Sequence, residues 1–254
     1  MPTITTEKLN LHIFKTPQEL GAAAARHAAD RMRSLAQKYE IVPVVFATGN
    51  SQLETLRALV QMPDIPWEKI IGFHLDEYIG ISDQHPASFR RYLREELASR
   101  VPIREFYYLE GDSPDPNETC LQYAGLLREY DPQLCLIGIG ENGHLAFNDP
   151  PVADFSDPTD VKIVTLDEAC RRQQVAEGWF PSFADVPETA ISLTIACLFR
   201  IPELIASVPG ERKRVVVRRT MEEPISTDCP STILRTHPNV HVYLDANSYP
   251  QVTC

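Results

Sequence analysis

Basic residues are the minority charge in this sequence. Lys and Arg number 24 against 35 Asp and Glu, a formal net charge of −11 over 254 residues. Nucleic-acid backbones and anionic bilayers recruit basic surfaces, so this balance argues against a nucleic-acid partner and against a membrane partner. It leaves room for a small anion held by local donors. Glycine is scarce, at 11 residues, so any clustering of it carries information. No apolar run approaches the roughly 20 residues needed to span a bilayer. The first residues, MPTITTEKLNLHIF, lack a basic segment followed by an apolar one, and no secretory leader is expected. No CxxC pair occurs among Cys120, Cys135, Cys170, Cys197, Cys229 and Cys254. Cys135 and Cys197 sit in apolar runs and read as reduced core thiols, which points to a reducing, cytoplasmic compartment.

What is present is ordinary for a globular enzyme-sized chain. The hydrophobic fraction is 43% and the charged fraction 23%, near globular averages. A chain of this length buries roughly 70–75% of its unfolded surface and needs no disulfide or metal to fold. Continuous apolar runs at Leu9–Phe14, Ile41–Thr48, Lys69–Leu75, Phe106–Leu109, Leu134–Ile139, Val161–Leu166, Ala190–Ile195, Glu203–Val208 and Val240–Leu244 predict strands. Helical patterns separate most of them, at Pro17–Tyr39, Ser51–Met62, Ala87–Arg100, Glu118–Tyr130, Asp167–Glu177 and 210–221, with a short helix after Cys229-Pro230-Ser231. Strands alternating with helices predict parallel βαβ units, buried on both faces. With no repeat and no linker, residues 1–254 read as a single α/β domain.

Ligands of open parallel sheets bind beyond the carboxyl ends of strands. Three strand ends carry polar groups. Ala47-Thr48-Gly49-Asn50-Ser51 is a strand-to-helix turn whose free N–H groups favour an anion, although a plain Ser51 helix cap would look the same. It is neither GxGxxG nor a Walker loop, so it indicates no dinucleotide or nucleoside triphosphate. His74-Leu75-Asp76-Glu77-Tyr78 ends a buried strand on adjacent carboxylates, which point opposite ways, one to the cleft and one to its support. Burial and the like-charge neighbour would raise such a carboxylate toward a useful base. Gly138-Ile139-Gly140-Glu141-Asn142-Gly143-His144-Leu145-Ala146-Phe147-Asn148-Asp149-Pro150 gathers three glycines around His144, a side chain that titrates near neutrality, with Asp149 able to orient it. His74, His85, His144 and Asp76 lack HExxH or paired Cys/His spacing, so no metal is expected. Lys213, in the first turn after Glu203–Val208, can reach the same sheet edge or sit on a solvated helix face. Trp67 and Trp179 read as core or lid packing.

Taken together, ATGNS, HLDEY, HPASF, GIGENGHLAFNDP and PGERK, in that order, resemble the glucosamine-6-phosphate deaminase/6-phosphogluconolactonase superfamily along nearly the whole chain. The continuation LAFNDP after Gly143-His144 and the Tyr in Asp76-Glu77-Tyr78 are similar to the deaminase branch. The resemblance implies a three-layer αβα sandwich with a mostly parallel, Rossmann-like sheet. It implies an amino-sugar phosphate substrate and no cofactor. By the same resemblance, Asp76 matches the base at C2, His144 the ring-opening catalyst, and Asp149 a supporting acid, with Glu141 beside it. Thr48, Gly49, Asn50 and Ser51 match the phosphate loop, and Lys213 a phosphate-binding lysine. Glu77 and Gly143 fall in the matched substrate-binding segments. Asn142 stands where some deaminases carry an Asp that partners the histidine. A lid arginine of some deaminases has no counterpart near Ala176, and Arg171, Arg172 or Gln173 are the residues at hand to replace it. Lactone hydrolysis on the same scaffold, a non-catalytic sugar-phosphate sensor and a homo-oligomer stay open.

Overall fold

The computed structural model describes residues 3–6 and 9–250; Cys254 and part of the N-terminal stretch read above lie outside them. The strands are β1 (Thr3–Thr6), β2 (Leu9–Phe14), β3 (Val42–Phe46), β4 (Ile70–His74), β5 (Asp76–Tyr78), β6 (Glu105–Phe106), β7 (Leu134–Ile137), β8 (Val161–Thr165), β9 (Thr189–Leu193), β10 (Leu204–Val208) and β11 (Val240–Asp245). The α-helices are α1 (Pro17–Ala36), α2 (Leu53–Leu59), α3 (Phe89–Leu93), α4 (Pro116–Tyr130), α5 (Glu168–Ala176), α6 (Ile195–Arg200) and α7 (Arg214–Glu222). The main sheet runs β1-β2-β11-β10-β7-β3-β4-β6. Every pairing in it is parallel except that of β1 with β2.

Period-two alternation along buried strands sends side chains to two opposite cores. Val42, Val44 and Phe46 of β3 pack with α1, α2 and Leu93 of α3. Val45 and Ala47 pack with α4, α6 and α7 on the other face. This is the three-layer αβα sandwich expected from the sequence. The cysteines at 120, 135, 170, 197 and 229 are free and buried in it. No helix among the described residues is long and apolar enough to cross a membrane.

The later strands depart from the sequence reading. Instead of forming parallel βαβ units, β8 and β9 pair antiparallel, and β9 pairs antiparallel with β5, in a separate three-stranded sheet. The reason is visible in β8, where Lys162 and Ile163 are partly or fully exposed beside buried Val161 and Val164. A strand with a wet face does not suit a sheet covered on both sides. The small sheet closes over its own core of Tyr78, Phe89, Phe147, Val164, Leu166, Phe180 and Ala190. Thr194, read as part of a strand, ends it and caps α6, its Oγ1 accepting from Cys197 N at 3.1 Å.

A polar cluster lies between α1 and the amino-terminal ends of β10 and β11. His27 Nε2 is 2.9 Å from Glu203 Oε1, and Arg31 Nε is 2.7 Å from Glu203 Oε2. His12 Nε2 faces His241 Nδ1 at 3.1 Å. Burial, then the neighbouring His27 and His12, bring His241 down to about 4.

Gly21 of α1 is set by the packing of α1 on α2. A Cβ there would lie 2.6 Å from Glu54 Cβ and 2.7 Å from the Glu54 backbone carbon. Gly21→Ala improves helix propensity by about 1 kcal/mol, but the obstruction is backbone and does not yield. The variant is expected to be less stable by about 1–3 kcal/mol. Thermal unfolding checks this, and a raised Tm contradicts it.

Candidate active site

In the main sheet the strand order reverses between β3 and β7, and the loops leaving their carboxyl ends part to form a crevice. A cleft of about 550 Å³, open to solvent, occupies that place. It is lined by Thr48, Gly49, Asn50 and Ser51 after β3, Asp76 after β4, Gly138, Gly140 and His144 after β7, and Lys213 after β10.

The end of the cleft between β3 and β10 has two components. Gly49 takes φ of +87°, which lets the chain turn sharply out of β3 toward α2. Gln52 holds this turn to the sheet, its Nε2 donating to Ser51 Oγ at 3.1 Å and to the Ile137 carbonyl at 3.2 Å. Lys213 is buried and its Nζ donates to the Ile139 carbonyl at 2.8 Å. Burial pulls its pKa down, partly countered by Glu177 and Glu141. A buried ammonium on a cleft wall, beside a turn with free N–H groups, suits an anionic ligand.

Asp76 and Glu77 divide as strand alternation requires. The Glu77 carboxylate turns away from the cleft and accepts from Tyr78 N, Ser88 Oγ, Phe89 N and Arg90 N at 2.8–3.2 Å. It holds the start of α3 and is not a cleft residue. Asp76 faces the cleft, and no hydrogen bond to its carboxylate is found among the described residues. Burial, then the charges of Glu77 and Asp149, push its pKa well above the usual carboxylate range.

The Gly-rich segment builds a histidine–carboxylate pair. His144 Nδ1 lies 2.8 Å from Asp149 Oδ1. Asn142 Nδ2 donates to the same oxygen at 2.8 Å, and the Asp167 amide donates to Oδ2 at 3.0 Å. Burial alone would raise the Asp149 carboxyl; His144 and these donors outweigh it and hold the group below its ordinary value. The partner of the imidazole is therefore Asp149, while Asn142 serves Asp149 and accepts from the His144 amide at 3.0 Å. The ring lies flat against Gly140, where a Cβ would come within 2.2 Å of Nε2. With Nδ1–H given to the carboxylate, Nε2 is free to exchange a proton in the cleft.

Other expected residues lie elsewhere. Glu141 pairs with Arg212 at 2.9 Å, on the neighbouring groove. Gly143 packs on Cys229, and its carbonyl accepts from Ser231 N at 2.8 Å. Arg171 donates to the carbonyls of Phe183 and Val186, and exposed Arg172 pairs with Glu168. Gln173, Gln174 and Glu177 of the α5 segment line the cleft instead. Their spacing of one, three and four residues puts them on one helix face, a signal available in the sequence. Glu177 is held by Gln173 Nε2 at 2.7 Å and Trp179 Nε1 at 3.2 Å.

Residues 15–242 match the sequence model of the family described as glucosamine-6-phosphate isomerases/6-phosphogluconolactonase. The chain belongs to this family. A glucosamine-6-phosphate deaminase of Geobacillus sp. (strain WCH70) is 35% identical over 208 residues, 80% of this chain and 81% of that protein. One from Exiguobacterium sp. (strain ATCC BAA-1283 / AT1b) is 32% identical, covering 93% of this chain and 89% of the other. The solved structure of a monomeric glucosamine-6-phosphate deaminase superposes with a TM-score of 0.85 at 28% identity, over 94% of this chain and 98% of that one. A 6-phosphogluconolactonase from Shewanella baltica OS155 aligns with a TM-score of 0.77 at 17% identity, over 96% and 100% of the two chains, a likeness of fold alone.

An unpaired, buried carboxylate opposes folding. With its folded pKa raised, Asp76 favours the native state only when protonated, and this contribution is lost as pH rises through that value. Asp76→Asn is therefore expected to raise Tm at pH 7. Calorimetry checks this, and an unchanged or lower Tm contradicts it.

Proposed function

We propose that this chain converts an amino-sugar 6-phosphate, glucosamine 6-phosphate first, with water into fructose 6-phosphate and ammonia. The observation that carries the reading is the buried, unpaired Asp76 carboxylate in one cleft with the His144–Asp149 pair and the buried Lys213. The named relatives support the substrate class. Lys213 and the turn at Thr48–Ser51 bind the phosphate, which positions the sugar away from the reacting carbons.

His144 opens the pyranose. Its Nε2 takes the proton from the O1 hydroxyl and returns one to O5, while Asp149 stabilises the imidazolium in between. The freed C1 aldehyde acidifies the hydrogen on C2. Asp76 removes that proton and delivers it to C1, while a proton from the C2 amine passes to O1, leaving a ketose imine at C2. Water adds to the imine carbon, ammonia leaves, and the ketose remains. Apart from the addition of water and the loss of ammonia, the steps are proton transfers, for which Asp76 and His144 are the groups at hand. A raised carboxylate pKa makes Asp76 a stronger base toward carbon than an exposed aspartate.

The test is release of ammonia and fructose 6-phosphate from glucosamine 6-phosphate. General base catalysis is typically worth about 10²–10⁴-fold, so Asp76→Asn is expected to lose turnover by about that factor while remaining folded. Near-normal turnover in the variant rejects the assignment of the base. No release by the wild type, with a sugar-phosphate lactone opened instead, moves the reading to the lactonase branch.

The pH profile gives an independent check. Activity needs ionised Asp76, so kcat/KM falls on the acid side as that group protonates. Because its pKa is raised, the limb is expected above the ordinary aspartate value of about 3.9. A limb at or below that value contradicts the role.

A further inference from the structure

We infer that His27, Glu203 and His241 form a binding site for one divalent cation of the zinc class, at the end of the sheet opposite the cleft. One ligand atom from each lies within 4.8 Å of the others. They come from three elements, namely α1, the turn before β10 and the second residue of β11. Two imidazoles and one carboxylate are the donor set that suits zinc and its neighbours, whereas magnesium and calcium select oxygen donors.

The geometry needs little rearrangement. With ligand bonds of about 2.0–2.2 Å, two ligand atoms on a tetrahedral ion lie about 3.3–3.4 Å apart. His27 Nε2 and Glu203 Oε1 are already 2.9 Å apart and have only to separate slightly. The His241 ring stands edge to face on His27 with centroids 4.4 Å apart; its Nδ1 faces His12 Nε2 at 3.1 Å and its Nε2 faces Asn239 Oδ1 at 3.0 Å, and it supplies the third nitrogen by exchanging one of these partners for the ion. The fourth position is left for water.

The supporting groups are also in place. His27 Nδ1 is 2.8 Å from the Tyr243 hydroxyl, which can accept from Nδ1–H once an ion takes the place of the Nε2 proton that faces Glu203. Arg31 holds the other Glu203 oxygen at 2.7 Å, so that carboxylate presents Oε1 alone to an ion. Outer partners of this kind orient metal ligands and tune their affinity. His27 and His241 are partly exposed, so an ion has a path in. None of these side chains lines the cleft, and the site stands independently of the proposed reaction. A bound ion would tie α1 to the two strands it covers.

Titration calorimetry of the chelator-treated full chain with zinc chloride tests the site. The wild type is expected to bind one equivalent, and His241→Asn and Glu203→Gln, each checked for folding by circular dichroism, to weaken that binding at least tenfold. No binding by the wild type overturns the site, as does an equivalent that keeps its affinity in both variants, whether held by the His144–Asp149–Cys170 group or elsewhere. Cobalt(II) provides a readout that needs no variant. Intense visible bands of a four-coordinate nitrogen and oxygen site are expected in the wild type, and only the weak bands of the six-coordinate aqua ion overturn the assignment.

Discussion

The Asp149 carboxylate has no exposure to solvent and satisfies its oxygens with three groups on two pieces of chain. Through Oδ1 it holds the His144 ring and the Asn142 amide, and through Oδ2 the backbone at Asp167, just before α5. The Gly-rich loop of the main sheet and the helix that carries Gln173, Gln174 and Glu177 to the cleft are thereby fixed to one point. An anion buried this deeply persists only if fully hydrogen-bonded or paired. That requirement fixes the direction of the imidazole and leaves its far nitrogen toward the ligand.

The adjacent carboxylates at the end of β4 sit in contrasting surroundings. Glu77 is also buried, yet four donors meet it, two of them backbone amides at the start of α3. Asp76, its immediate neighbour, has none among the described residues. The strand pleat alone separates them, sending one side chain into packing and the other into the cleft. A carboxylate facing the cleft is thus placed beside a structural one, and the second adds to the field that perturbs the first.

Much of this was legible in the sequence because each signal was local. Continuous apolar runs marked the strands of the main sheet, and glycines crowded around His144 marked a place where backbone and side chain approach closely. Adjacent acids at the end of β4 predicted one facing in and one facing out. The rest depended on contacts between distant segments. Nothing in Val161–Thr165 or Thr189–Leu193 states that they pair with each other, and the second also with Asp76–Tyr78, in a sheet of their own. The reach of Arg171 to carbonyls at Phe183 and Val186, away from the cleft, depends on how the loop after α5 folds back. The role of Asn142 was misplaced by one link, since position 142 supports the acid and the acid touches the ring.

The order of strands has a consequence for how the molecule comes into being. β2, near the start of the chain, lies between β1 and β11, and Leu9 is paired in register with Val240. During synthesis the amino-terminal strand therefore emerges long before the segment that completes its hydrogen bonds. For most of translation it presents an open edge, one flank of which can be covered only by the short β1. Contacts of such long sequence separation close slowly. The nascent chain thus keeps one flank of β2 unpaired until β11 is made, and β11, rather than any part of the cleft, closes that edge.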